Sequence, residues 1–366
     1  MCTSLVYRDS SNGVYFGRTL ELSMELPYQF ACFPPGQSFH SQVEGHPALQ
    51  FRGACRFLAI AMPDRTPSAD RPLTANDFKV LEGVNEHGLT FSLLAYPATG
   101  GAAGAADMTR AILSVSDLGS WLLSQYQSVP QVKAALATQP VAAVALALLH
   151  GAESPFHYVV HDRDGASLVI ELCGGEMAVH DNPVGVMTNG PEFPWHMTNL
   201  NNYTFLSNMD QSRATFGGYQ ARQPDAGIAT AALPASNTSV GRFVRAVYYA
   251  QFAEKAGNPD AAIQTLAHIM NNFDRPRGIT VAAREPGAGL NLEAMGSADE
   301  ESTTEYTSWT SMVDLQRVHF YIRSYRSLGY VHVDLQALDA LSTPVIFPLA
   351  KLDGLAGEQT QMFLAR

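Results

Sequence analysis

The chain opens Met1-Cys2-Thr3-Ser4-Leu5-Val6-Tyr7-Arg8-Asp9-Ser10-Ser11-Asn12-Gly13-Val14-Tyr15-Phe16-Gly17-Arg18-Thr19-Leu20-Glu21-Leu22. Residues 4–7 are strand-like, residues 9–13 supply turn chemistry, and residues 14–22 continue as a second strand. The opening therefore reads as a β-hairpin. With Cys2 on the first strand, the paired strand brings Arg18 and Glu21 towards it. Taken alone, that pair is an ordinary cross-strand salt bridge.

Beyond the hairpin, residues 84–96 are β-like around 89–94, and the Gly/Ala stretch 99–106 reads as a flexible loop with no GxGxxG pattern. Residues 108–126 carry Ile112, Val115, Leu118, Leu122 and Tyr126 at helical spacing, and a shorter helix starts near Pro130. Strands follow at 157–162, 167–173, 176–180 and 184–188, with a turn at Arg163-Asp164-Gly165. A helical pair covers 242–256 and 260–272, and strands return at 307–314, 318–324 and 330–334. Strands come in groups rather than alternating singly with helices. That order argues against a doubly wound sheet and for two antiparallel sheets covered by helices, an α+β arrangement. No internal repeat or linker is visible, so residues 1–366 read as one domain.

At 366 residues, with 46% hydrophobic and 16% charged, the chain has ample material for a core. The longest apolar run, 141–149, is alanine-rich and too short to span a bilayer. No apolar-cored leader precedes the hairpin, which points to the cytoplasm unless a leader was replaced by the start Met. Net charge is −11, with 34 acidic against 23 basic residues and no basic cluster, so nucleic acid and anionic membranes are poor partners. The four cysteines, Cys2, Cys32, Cys55 and Cys173, lack CxxC spacing and signal neither zinc nor disulfides. The last three lie in apolar surroundings and read as small buried hydrophobes.

Cys2 is different. Removal of Met1 would leave it with a free α-amino group, whose reference pKa of about 7.7–8.0 lies close to the thiol's value of about 8.5. One residue would then carry both a nucleophile and a base poised near neutral pH. A cation such as Arg18 near the sulfur favours thiolate, and a carboxylate such as Glu21 would hold the α-ammonium group.

Met1-Cys2-Thr3, Gly17-Arg18-Thr19-Leu20-Glu21, Asn85-Glu86-His87-Gly88-Leu89, Thr188-Asn189-Gly190-Pro191-Glu192-Phe193, Asn199-Leu200-Asn201-Asn202-Tyr203, Gly241-Arg242-Phe243 and Glu305-Tyr306-Thr307-Ser308 together resemble the motifs of the choloylglycine hydrolase family. That family includes penicillin V acylases and conjugated bile salt hydrolases, and the resemblance runs over nearly the whole chain. It implies a four-layer αββα sandwich of N-terminal nucleophile hydrolase type, with two antiparallel sheets between helical layers. It implies Cys2 as nucleophile and base, Arg18 beside the sulfur, Asn189 as side-chain oxyanion donor, and Arg242 as support for the charge network. It also implies an N-acyl amide as small-molecule substrate and a homotetramer, and no metal or organic cofactor enters such a scheme.

Two positions depart from the family. Glu21 stands where Asp is usual, which displaces the carboxylate by roughly a bond length. Ala95 stands where bile salt hydrolases carry Asn and penicillin V acylases often carry Tyr. The oxyanion donor there is a backbone N–H, which alanine still supplies. Asn85 reads as a turn residue, and His157 and His161 as ordinary strand residues, since i and i+4 on a strand lie too far apart for one metal. Met24, Met108, Met187 and Met197 would line an acyl pocket or fill the core. The reading favours a penicillin-V-acylase-like amidase. A bile salt hydrolase, an N-acyl homoserine lactone acylase, an acyltransferase and a non-catalytic member of the fold stand as rivals.

Overall fold

The computed structural model describes residues 1–96, 109–146, 152–153, 155–173, 176–283 and 302–364. The strands of its two large sheets are, in chain order, β1 (Cys2–Arg8), β2 (Val14–Leu22), β3 (Gln29–Phe33), β4 (Phe57–Pro63), β5 (Phe78–Asn85), β6 (Thr90–Ala95), β7 (Phe156–His161), β8 (Ser167–Cys173), β9 (Glu176–Asp181), β10 (Val186–Met187), β11 (Tyr306–Asp314), β12 (His319–Ser324), β13 (Val331–Asp334), β14 (Val345–Pro348) and β15 (Gly357–Glu358). One sheet runs β10-β1-β2-β11-β12-β13-β15 and the other β9-β8-β7-β6-β5-β4-β3-β14. Pairing within them is antiparallel except between β13 and β15.

The main helices are α1 (Leu118–Gln125), α2 (Val129–Leu136), α3 (Phe193–Leu200), α4 (Ser239–Phe252) and α5 (Pro259–Asn271). Side-chain alternation along the strands sorts the layers. Phe30, Cys32, Leu58 and Ile60 face the first sheet, whereas Ala31, Phe33, Phe57 and Ala59 pack with Trp121, Leu122 and Val129 under α1 and α2. On the far side, α4 lies against β1 and α5 against β2 and β11. The order α4/α5, sheet, sheet, α1/α2 is the expected αββα sandwich.

Local chemistry sets the ends of the outer helices. Thr238 caps α4 by accepting from the Gly241 amide, and Asn258 caps α5 by accepting from Ala261, with Pro259 at the first turn. Close seating of α5 on β2 depends on Gly17, where an added Cβ would meet Met270 Sδ at 2.7 Å.

The structure corrects the element boundaries in places. The helix expected over 108–126 is confined to Leu118–Gln125. Leu113–Ser114 is instead a short strand paired with Val141–Ala142, and Val115–Asp117 is a 3-10 turn. The apolar positions Ile112 and Val115 flank that strand and are buried, and Ser114 accepts from the Ser116 amide ahead of the helical segment. Met108 and the stretch 99–106 lie outside the described residues. Cys32 and Cys55 are buried as expected, but Cys173 is exposed at the end of β8. Strands β3 and β4 and helix α3 carry no clear periodic signal. A strand buried on both faces has continuous apolar content instead of alternation.

Candidate active site

Cys2 starts β1, opposite Leu20, and is 3% exposed. Two residues along, Ser4 faces Arg18 across the β1–β2 ladder. From there Arg18 Nη2 donates to Cys2 Sγ at 3.5 Å, presenting a permanent cation to the sulfur. Its Nη1 donates to Leu81 O at 2.7 Å and Glu82 Oε2 at 2.8 Å, and Nη2 also donates to Leu93 O. The guanidinium lies over Trp309, 5.0 Å from the ring centroid. Arg18 and Glu82 are both fully buried. Burial alone would penalise the Arg18 charge, but the Coulombic pull and hydrogen bonds of the facing Cys2 and Glu82 side chains outweigh it and raise its pKa. Burial likewise pushes the Glu82 carboxyl up, against the pull of Arg18. Ser92 Oγ donates to Glu82 at 2.7 Å and completes its hold.

Asn189 follows β10 and reaches the other side of Cys2. Its Oδ1 accepts from Cys2 N at 2.8 Å and from Arg242 Nη2 at 2.6 Å. Two donors on one atom settle the orientation of the carboxamide. Its Nδ2 donates to Ala95 O at 2.7 Å, leaving the second amide hydrogen for another acceptor. Tyr96 N donates to Pro155 O, so the bonded rungs towards β7 fall on Tyr96 and its alternates, not on Ala95. The Ala95 N–H therefore points to the same side as its carbonyl, where Asn189 sits.

Arg242 lies on α4, fully buried rather than at the surface. Nη1 donates to Thr3 Oγ1 at 2.8 Å and to Cys2 O, and Nε donates to Asn237 O at 3.0 Å. Burial lowers its pKa, and Glu21 is the chief anion supporting its charge.

Glu21 is fully buried beyond a β-bulge between Leu20 and Glu21, and its Oε1 accepts from Thr307 Oγ1 at 3.4 Å. With Met1 attached, Cys2 N is a peptide amide and donates to Asn189 Oδ1, so the α-ammonium that Glu21 is expected to hold has not yet been formed. The Met1 ammonium is met by Glu305 Oε1 at 3.3 Å, and Arg275 holds Glu305 through a 3.0 Å bond. Glu21 binds Met1 through its backbone, its N–H donating to Met1 O at 2.7 Å. Burial raises the Glu21 pKa, and one of its carboxylate oxygens has no hydrogen-bond partner among the described residues.

The chain matches the model of the linear amide C–N hydrolases, choloylglycine hydrolase family, over residues 2–347. It belongs to that family. A bile salt hydrolase/transferase of Bifidobacterium longum subsp. longum is 28% identical over 336 residues, covering 90% of this chain and 96% of the relative. Another bile salt hydrolase/transferase, from Clostridium perfringens, is 25% identical over 335 residues, covering 92% of each chain. Among solved structures, a conjugated bile acid hydrolase from Clostridium perfringens superposes with TM-score 0.75 at 21% identity, covering 95% of this chain and 96% of the other. Penicillin V acylase from Agrobacterium tumefaciens superposes with TM-score 0.74 at 19% identity, covering 98% and 95%. The two structures share the sandwich fold. As a choloylglycine hydrolase family member, the chain is a hydrolase of linear amide C–N bonds.

Sequence reading gave no role to Glu82 or Arg275, and met Glu305 only as part of a motif. Buried carboxylates have no local signature, because their need for a partner arises only once a distant arginine is folded against them. Asn85 is a turn residue, as read: its Oδ1 accepts from His87 and Leu89 amides while Nδ2 donates to Leu123 O and Tyr126 O. Met187 is wholly buried in the core, and no helix among the described residues is long and apolar enough to cross a membrane.

Proposed function

We propose that the chain hydrolyses an N-acyl amide through a thioester at Cys2, formed once Met1 has been removed. The observation that carries this reading is the convergence of Arg18 Nη2 on Cys2 Sγ at 3.5 Å with Asn189 on Cys2 N at 2.8 Å. The thiol proton passes to the Cys2 α-amine as sulfur attacks the carbonyl. Asn189 Nδ2 and the Ala95 N–H hold the oxyanion, a contribution of about 2.7–4 kcal/mol for a preorganised donor. The α-ammonium then protonates the departing amine, and water attacks the thioester to regenerate the thiol. In the processed enzyme the α-ammonium takes the place of the Cys2 N–H now bonded to Asn189, with Glu21 and Glu305 as the nearby carboxylates.

The favoured substrate is a penicillin-V-like amide with a hydrophobic acyl group. Conjugated bile salts and N-acyl homoserine lactones are the competing substrates, and Ala95, which supplies no side-chain selectivity, leaves the acyl group to other walls. A second reading, acyl transfer from the thioester to an amine, is favoured by the double name hydrolase/transferase borne by the Bifidobacterium longum relative.

Amine release from penicillin V, glycocholate and an N-acyl homoserine lactone tests this reading, run beside Cys2→Ala. The expected result is release from one substrate, absent in Cys2→Ala, with intact mass showing Met1 gone from the active protein. Turnover retained in a folded Cys2→Ala protein overturns the mechanism. An added acceptor amine that diverts the product to a new amide establishes the transferase reading.

A further inference from the structure

We propose that His157 and His196 are positioning residues that hold the Asn189 carboxamide in place, each through an imidazole N–H on one of the two carbonyls flanking the Asn189 α-carbon. The inference rests on the reading of Asn189 as the oxyanion donor.

His157 stands on β7 with Nε2 3.1 Å from Thr188 O and Nδ1 3.1 Å from Glu171 Oε1. His196 stands on α3 with Nε2 2.9 Å from Asn189 O. Both rings are fully buried. A carbonyl oxygen only accepts, so each of these Nε2 atoms carries a proton and donates. For His196 this settles the tautomer, because its Nδ1 has no partner among the described residues and burial lowers its pKa.

The geometry bears on Asn189 specifically. Thr188 O belongs to the peptide plane before the Asn189 α-carbon, and Asn189 O to the plane after it. Pinning both planes leaves the residue's φ and ψ no freedom. A third tie is the Asn189 N–H, which donates to Ser239 Oγ at 2.8 Å. With the backbone fixed, the Cβ direction is fixed, and Arg242, Cys2 N and Ala95 O then set the carboxamide. Such support is what an oxyanion donor requires, since preorganisation is the source of its effect.

The two rings are held in turn. Tyr96 stacks on His157 with centroids 5.0 Å apart and planes at 10°, and Phe243 stacks on His196 at 4.5 Å and 15°. Glu171 is 2% exposed and ties His157 to the start of α3 by accepting from the Phe193 amide at 3.0 and 3.2 Å. The helix that carries His196 and the strand that carries His157 are thereby joined beneath the Asn189 turn.

The test compares Gln with Asn at position 157. A Gln amide nitrogen reaches about where Nε2 stood and keeps the bond to Thr188 O, whereas Asn reaches only the Nδ1 position. His157→Asn is expected to lower kcat by roughly tenfold with KM unchanged, a part of the roughly 10²–10³ lost with an oxyanion donor itself. His157→Gln is expected to rescue most of that loss. Alkylation of Cys2 by iodoacetamide, which forms no oxyanion, is expected to proceed at the parental rate in both. Equal kcat in the Asn and Gln variants, or a fall in alkylation parallel to kcat, overturns the proposal. If His157→Asn does not fold, the same comparison at His196 decides it through Asn189 O. Asn189→Ala separates the two levels. Unchanged kcat there removes the oxyanion reading itself, while impaired kcat there with parental kcat in His157→Asn overturns the positioning role alone.

Discussion

Arg242 Nη2 lies 2.6 Å from Asn189 Oδ1, on the same oxygen that accepts from Cys2 N. The arginine also donates to Thr3 Oγ1 and Cys2 O, so one guanidinium fork ties α4, β1 and the Asn189 turn together. A fork makes several directed bonds where an ammonium makes a point contact. Arg242→Lys is therefore expected to keep the charge yet lower kcat by about 10²-fold, with a smaller change in KM. Steady-state kinetics on the substrate identified by amine release check this. Parental kcat in the lysine variant would show that charge alone suffices.

Arg18 and Glu82 form a fully buried pair at 2.8 Å. Removing one partner strands the other charge in the interior, at about 3–5 kcal/mol. Glu82→Ala should lose stability on that scale, read from the denaturant midpoint. Replacing both residues by apolar ones of similar volume should recover much of that stability, because no orphan charge remains. The double variant should still be inactive, for lack of a cation at Cys2 Sγ. Recovery of activity in it would show that Arg18 serves the fold alone.

His161 is fully buried beside Phe16, and burial holds its pKa down at about 3. An unfolded imidazole takes its proton near 6.5, so between those values the unfolded state carries the extra proton. Stability then falls as pH drops through this window, by up to about 1.4 kcal/mol per unit from this one residue. His161→Phe should flatten the fall between pH 6 and 4, measured by chemical denaturation at each pH. An identical slope in the variant would remove His161 as its source.

Gly88 closes the β5–β6 turn with φ +77°, and an added Cβ would lie 2.4 Å from Leu315 O. The left-handed backbone costs a side chain about 1–2 kcal/mol, and contact with a backbone carbonyl adds to that. Gly88→Ala should thus destabilise by more than about 2 kcal/mol while leaving kcat of the folded protein unchanged. Thermal unfolding with parallel kinetics separates the two effects.

The opening hairpin was legible because its information is local. Turn residues at Asp9 to Gly13 and apolar runs on each side specify β1 and β2, and their register brings Arg18 to Cys2. The capped helices α4 and α5 and the strands β7 and β8 were legible for the same reason. Arg18, Asn189 and Arg242 were placed beside Cys2 by motif resemblance, and all three bond to it in the fold. Asn189 and Arg242 lie far from Cys2 in sequence, however, and no spacing rule could have supplied those contacts.

Tertiary structure alone decided the rest. The bulge after Leu20 and the Thr307 Oγ1–Glu21 Oε1 bond, which fix where the buried Glu21 carboxylate sits, have no signal in the hairpin's sequence. His157 read as an ordinary strand residue and His196 drew no reading at all, until folding set their ring nitrogens against Thr188 O and Asn189 O. Periodicity records which face of an element is apolar, so it reports local structure and layer order. A buried polar group instead takes its role from partners that arrive from other strands and helices, and that choice is made only when the two sheets close over it.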